Sequence, residues 1–263
     1  MDGTARRAAA ISAHRGGGET APAGTYEAYQ DALASGAEYI EFDVRRTADG
    51  QLVSYHGART PRGRSVGAVT HRVLCAHARF EVPLVTGIMQ LLAGRAAAHL
   101  DLKETAGVPA IIRQAAGILG PGGLVVTTRS APVAAAIRQR FPEMAVGLTI
   151  GGDLAERARY TWGRVRAPAL TRLDWVTGCR AGWAAVHQRT ARGDVLTGCR
   201  RLGISTMVWT VNSDRALARW LAHPGVDVVV TDRPVRAAAL RRQLLAGTAT
   251  PGGPGDAGTA PAP

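Results

Sequence analysis

Lysine is almost absent from this chain: of its 32 basic residues, 31 are arginine and one, Lys103, is lysine. If coding bias has removed lysine elsewhere, the position that keeps it needs a compact ammonium that a planar guanidinium cannot imitate. Cysteine is scarce as well. Cys75, Cys179 and Cys199 are widely spaced, odd in number and show no C-x-x-C pairing, so neither a disulfide framework nor a zinc site is indicated and the thiols read as buried or inert. No apolar run approaches the roughly 18 residues that span a bilayer, so no transmembrane helix is expected. Nor does a long apolar stretch follow Arg6 and Arg7; secretion is not signalled and the expected location is cytoplasmic. Acidic residues are outnumbered, giving a net charge of +12. The basic residues are scattered without aromatic interleaving, which argues against nucleic acid as the partner, although the positive field would draw in small anions.

What is present is a globular composition, 46% hydrophobic and 20% charged, in 263 residues. That length is close to the roughly 250 residues of one barrel of eight strand–helix units. The Gly/Pro-rich tail, 247–263, and the N-terminal residues 1–9 are expected to be disordered, leaving 10–246 as the folded domain. Within it, β-like runs at Ala10–His14, Tyr39–Val44, Ala97–Lys103, Leu124–Thr128, Ala145–Ile150, Trp183–His187, Thr206–Val211 and Val226–Thr231 alternate with helical stretches. The clearest helices are Thr25–Ser35, Val108–Leu119, Pro132–Arg140, Ala191–Leu202 and Ser213–Ala222, with Ser213 as an N-cap. About eight such units predict an α/β fold, a (β/α)8 TIM barrel. An extra strand at Gln51–Tyr55 and the Gly/Arg-rich stretch Gly57–Val82 interrupt the alternation and read as a short excursion over the barrel mouth after the second strand.

Strand periodicity places Glu41 and Asp43 on one side of Ile40-Glu41-Phe42-Asp43-Val44, with Ile40, Phe42 and Val44 outward. Two carboxylates side by side repel, and a divalent cation with oxygen ligands, Mg²⁺ or Ca²⁺, removes that repulsion. The same period brings Asp101 and Lys103 together in His99-Leu100-Asp101-Leu102-Lys103. His14-Arg15 ends the first strand, and the following Gly16-Gly17-Gly18 would let a bound anion approach the backbone. His56 ends the extra strand. All lie at strand C-termini, where such barrels keep their active sites.

The order of these residues resembles the glycerophosphodiester phosphodiesterases: His14-Arg15-Gly16-Gly17, Thr25-Tyr26-Glu27-Ala28-Tyr29, Gly36-Ala37 before Ile40–Val44, Thr47-Ala48-Asp49-Gly50 and His56. Leu100–Lys103, Trp209-Thr210-Val211-Asn212 and Thr231-Asp232-Arg233-Pro234 continue the match. The resemblance implies that Glu41, Asp43 and Asp101 bind the metal and that His14 and His56 form a general acid/base pair. It further implies that Arg15 and Lys103 hold the phosphate and that Trp209 lines the substrate pocket. The implied substrate is a small-molecule or lysolipid phosphodiester, cleaved to an alcohol and glycerol phosphate.

The chain departs from the family pattern in three places. Pro22-Ala23-Gly24-Thr25 stands where Pro-Glu-Asn-Thr is usual, Gly57 follows His56 in place of Asp, and Asp101 replaces Glu. The last two departures resemble the sphingomyelinase D and phospholipase D branch, which releases the head group with a cyclic phosphate product. A barrel that binds metal and phosphodiester without catalysis is the other alternative.

Other polar residues are set aside. His99 reads as a hydrogen-bonded core residue, His187 could reach the mouth, and Arg129 ends a strand where it could touch phosphate. His71, His77 and His223 read as surface residues, and Gly151-Gly152 is too weak for a phosphate loop.

Overall fold

β1 (Ala10–Ala13) pairs in parallel with β2 (Tyr39–Arg46) on one side and with the last strand, β9 (Val228–Thr231), on the other. That double pairing closes the sheet. β4 (Ala97–Leu102), β5 (Leu124–Thr128), β6 (Ala145–Ile150), β7 (Trp183–His187) and β8 (Ser205–Trp209) complete an eight-stranded parallel ring, the expected (β/α)8 barrel. The structure is a computed structural model that describes residues 8–151, 170–191 and 193–247. Gly152 and most of both expected disordered tails therefore lie outside the described residues. Ala9, by contrast, is buried and donates its amide to the Leu221 carbonyl at 2.9 Å.

Helices pack around the ring: α1 (Tyr26–Ala34), α2 (His71–Ala78), α3 (Val85–Leu92), α4 (Val108–Leu119), α5 (Ala131–Arg140), α6 (Leu170–Gly178), α7 (Gly193–Arg201), α8 (Asp214–Leu221) and α9 (Pro234–Ala246). Their starts are set by local chemistry. The hydroxyls of Thr25 and Ser213 accept the amides of Ala28 and Ala216, satisfying donors that the first turn leaves free. Ile40, Phe42 and Val44 are fully buried in the main core, where the strands meet the helices, as their alternation requires. A separate apolar cluster, Val125, Ala185, Met207, Val228 and Val230, fills the barrel interior.

The excursion has a structural cause. β1 contacts β2 only at Tyr39 and Ile40, because it ends at Ala13 while β2 runs on to Arg46. The upper edge of β2 is thereby left open, and β3 (Leu52–Ser54) fills it in antiparallel register, Val44 opposite Ser54 and Arg46 opposite Leu52. Residues 57–82, with α2 inside the segment, then pack Val66, Val69, Leu74 and Val82 against Val53 of β3 in a second small core. The eighth strand is shorter at its end than expected: Thr210 and Val211 leave it, and the Val211 amide bonds the Val230 carbonyl.

Candidate active site

All eight residues singled out in the sequence line one cavity of about 280 Å³ at the C-terminal mouth: His14, Arg15, Glu41, Asp43, His56, Asp101, Lys103 and Trp209. A larger groove of about 790 Å³ between α4 and α5 is lined by residues such as Pro109, Pro132, Ile137 and Phe141, with no histidine or carboxylate. The histidines and carboxylates singled out in the sequence gather in the smaller cavity.

The first strand delivers its residues through a strained turn. Arg15 adopts a left-handed backbone (φ 51°), which costs an arginine on the order of 1 kcal/mol, and its amide donates to Glu41 Oε2 at 2.8 Å. Gly16 and Gly17 serve packing. A Cβ on Gly16 would lie 2.8 Å from the backbone of Ala28 in α1, and one on Gly17 would lie 2.8 Å from the Pro234 ring at the start of α9. Both have positive φ, at 78° and 91°.

Glu41, Asp43 and Asp101 each bring a carboxylate oxygen within 4.8 Å of the others. The β2–β4 register puts Asp43 directly beside Asp101. Burial and the neighbouring Asp43 charge push the Glu41 carboxyl up to about 7. Asp43 behaves oppositely. Burial opposes its ionisation, yet the His56 hydrogen bond and the Lys103 ammonium outweigh that and hold it well below the usual carboxylate range. Lys103 Nζ lies 2.9 Å from Asp43 Oδ1 and also bonds Asp101. Burial favours its neutral form, but the two carboxylates prevail and raise its pKa. Arg15 Nε sits 3.4 Å from Asp43 Oδ2, buried and without a hydrogen-bond partner among the described residues.

The two histidines are anchored separately. His56 Nδ1 lies 3.1 Å from Asp43 Oδ2. Its position follows from β3, which the buried Tyr29–Ser54 hydroxyl pair (2.7 Å) ties to α1, and from Arg45, which donates to the His56 carbonyl at 3.1 Å. His14 Nδ1 meets Asp232 Oδ1 at 2.6 Å. Asn212 completes that arm, donating from Nδ2 to Asp232 Oδ2 at 2.5 Å while its Oδ1 accepts the Asp232 amide at 3.0 Å. Burial penalises a charged His14, but the Asp232 hydrogen bond and the Glu41 charge overcome it and raise its pKa. Asp232 and Asn212 stand within the Thr231–Pro234 and Trp209–Asn212 motifs, where the sequence by itself assigns them no role. The signal was the closing register, Ala13 opposite Thr231, which makes the next residues neighbours.

The family model for the glycerophosphoryl diester phosphodiesterase family matches residues 14–75, the stretch that carries His14, Arg15, Glu41, Asp43 and His56. The probable glycerophosphodiester phosphodiesterase 1 of Mycobacterium tuberculosis is 47% identical over 58 residues, which span 22% of this chain and only 21% of that relative. A glycerophosphodiester phosphodiesterase from Agrobacterium tumefaciens superposes with a TM-score of 0.66 at 25% identity, over 88% of this chain and 99% of that one. Residues 14–75 thus carry the sequence signature of the glycerophosphoryl diester phosphodiesterase family, and the described chain shares the barrel fold of its solved members. A phosphodiesterase from Oleispira antarctica, solved with the product sn-glycerol-3-phosphate, shares the fold with a TM-score of 0.69 at 17% identity, over 89% of this chain and 96% of that one.

Against the family pattern, the region around Ala23-Gly24 gains no replacement carboxylate in the cavity. Glu19 instead accepts the Val235 and Arg236 amides at the start of α9, and Thr20 bonds Asp31. His99 is the buried, hydrogen-bonded residue expected, although it also lines the cavity wall, and burial drives its pKa down to about 4. His187 packs edge-on to Trp209, with ring centroids 5.0 Å apart, and is not among the cavity-lining residues. Arg129 does line it, its guanidinium 5.4 Å from the Trp209 ring centre. The three histidines expected at the surface are half-buried and locally bonded. His71 Nε2 meets the Val82 carbonyl at 2.8 Å, His77 Nδ1 meets the Thr60 hydroxyl at 3.0 Å, and His223 Nδ1 accepts the Gly225 amide at 3.1 Å. Among the described residues no helix is long and apolar enough to cross a membrane.

Proposed function

We propose that this chain is a metal-dependent phosphodiesterase that cleaves glycerophosphodiesters to an alcohol and glycerol phosphate, with His14 and His56 as the proton-transfer pair. The observation that carries the reading is the convergence of three carboxylates, two cationic side chains and two carboxylate-anchored histidines on one cavity. The donor set fits a hard cation, Mg²⁺ or Ca²⁺, held by Glu41, Asp43 and Asp101: all ligand atoms are oxygens, and the Glu41 carboxyl is raised by burial and by the adjacent Asp43 charge, both of which a bound cation would offset. Bound there, it would supply Lewis-acid polarisation of the phosphate and neutralise charge.

The chain's own groups divide the remaining work. Lys103 and Arg15 offset negative charge growing on the phosphate oxygens. Asp232 fixes His14 through Nδ1, so Nε2 is the atom free to exchange a proton with substrate; Asp43 does the same for His56. One imidazole accepts the proton of the attacking water or hydroxyl, and the other donates to the departing alcohol. Trp209, held by its Nε1–H bond to the Ala185 carbonyl at 3.0 Å, forms a wall for the organic part of the substrate.

Phosphorus NMR of products from glycerophosphocholine, lysophosphatidylcholine and sphingomyelin, with and without EDTA, tests the reading. Glycerol phosphate released from glycerophosphocholine and abolished by EDTA is the expected result. A cyclic phosphate would move the protein to the head-group-releasing reaction. No turnover of any of the three, with metal still bound, would make it a binding barrel.

A further inference from the structure

Directly beneath the carboxylates, three side chains from three strands form a hydrogen-bonded line that ends on one of them. Ser12 Oγ lies 3.1 Å from His99 Nδ1, His99 Nε2 lies 3.0 Å from Thr127 Oγ1, and the Thr127 hydroxyl donates to Asp101 Oδ1 at 3.1 Å. Ser12, His99 and Thr127 are 0%, 4% and 1% exposed, so each depends chiefly on protein partners for its hydrogen bonds.

The direction of every proton follows from counting donors. Asp101, facing the Lys103 ammonium, only accepts, so the single proton of Thr127 is spent on it. Thr127 must then accept from His99 Nε2–H. A neutral imidazole has no second proton, so His99 Nδ1 accepts the hydroxyl of Ser12. The line is satisfied at each joint and brings a dipole to Asp101 without a further charge. We propose that Thr127 is a positioning residue for Asp101: its hydroxyl holds Oδ1 while Lys103 holds Oδ2, so that the carboxylate keeps one orientation toward the cation shared with Glu41 and Asp43, and His99 and Ser12 fix the direction of the Thr127 hydroxyl.

The packing around Thr127 supports the assignment independently. Gly147 is its partner across β5–β6, and a Cβ there would lie 3.2 Å from the Thr127 methyl and 3.0 Å from Trp183 Cβ. The missing side chain makes room for the methyl group on that side, which keeps the hydroxyl turned to Asp101. An isosteric valine would fill the same space at less cost in desolvation, so the hydroxyl serves the carboxylate above it. Asp101 stands beside Asp43 in register, and the Lys103 ammonium bonds both carboxylates, so the Thr127 hydroxyl adds a restraint from the opposite side of Asp101.

The inference rests on the proposed metal site, and Mn²⁺ affinity, read by electron paramagnetic resonance of the free ion, separates the two. Parent protein should bind one Mn²⁺. Thr127→Val should weaken binding by about 10- to 100-fold, the usual effect of removing a partner of a metal ligand. Thr127→Ser, which keeps the hydroxyl and loses the methyl, should stay within about threefold of parent. Thermal unfolding without metal checks that both variants fold. A valine variant that binds as tightly as parent overturns the proposal, and so does equal weakening by valine and serine, which would assign the effect to methyl packing. If the folded parent binds no Mn²⁺, the metal site itself fails and the positioning role falls with it.

Discussion

Asp232 holds His14 across the seam of the barrel: the carboxylate that follows the last strand bonds the imidazole that follows the first, at 2.6 Å. The pair makes His14 more basic in the folded chain than in the unfolded one. Folding therefore gains most when His14 is protonated. That gain is complete below the ordinary histidine value and is lost as pH rises through the raised folded value. Asp232→Asn should lower the His14 pKa, followed by NMR of its ring proton, and should cost more stability at about pH 5 than at about pH 9. An unchanged titration curve would refute the coupling.

Asp43 is the node of the polar cluster, touched by His56, Lys103 and Arg15. Asp43→Ala should reduce turnover by at least ~10²-fold and weaken cation binding. The barrel should remain folded by circular dichroism, since residues at this end serve the site more than the core. Near-parent turnover would remove Asp43 from the site.

His14→Ala and His56→Ala should each lower the rate by about 10² to 10⁴, the usual worth of a proton-transfer group. His71→Ala, His77→Ala and His223→Ala should leave kcat nearly unchanged, because their partners lie in the excursion or near the α8 end, away from the cavity. Steady-state kinetics on one glycerophosphodiester distinguishes the two groups.

Lys103 reaches two carboxylates from a half-buried position. Lys103→Arg keeps the charge but replaces a compact ammonium with a wider, planar fork, displacing a contact on which positioned catalysis depends. Most of kcat should be lost with a smaller change in KM, and Lys103→Ala should lose more. An arginine variant as fast as the parent would make the single lysine incidental.

What the sequence made legible was what period and order encode. Glu41 and Asp43, and Asp101 and Lys103, could be paired because i and i+2 share a strand face, and their shared cavity follows once the strands are parallel. Contacts that depend on closure were out of reach. Asp232 lies 218 positions from His14, and Thr127 serves Asp101 from the neighbouring strand, so neither partnership has a local signature. Gly16 and Gly17 were legible as glycines but not as packing devices, because the bodies they admit, α1 and Pro234, arrive from elsewhere in the chain. The half-buried state of His71 and His77 was hidden for the same reason: the small core of the excursion exists only after β3 docks.

β3 is attached to a barrel that is already closed without it, and this gives the two histidines unequal tenure. His14 follows a strand hydrogen-bonded on both sides, whereas His56 follows three residues zipped to the tip of β2 and steadied by the Tyr29–Ser54 and Arg45–His56 bonds. An excursion that peels away from β2 carries His56 out of the cavity, and the ring, closed by the β1–β2 and β1–β9 pairings, does not depend on it. Amide exchange should register that opening as faster turnover at Val53 than at Phe42. The protein would then lose one of the two proposed proton-transfer groups well before it unfolds, so thermal inactivation would precede the global melting transition.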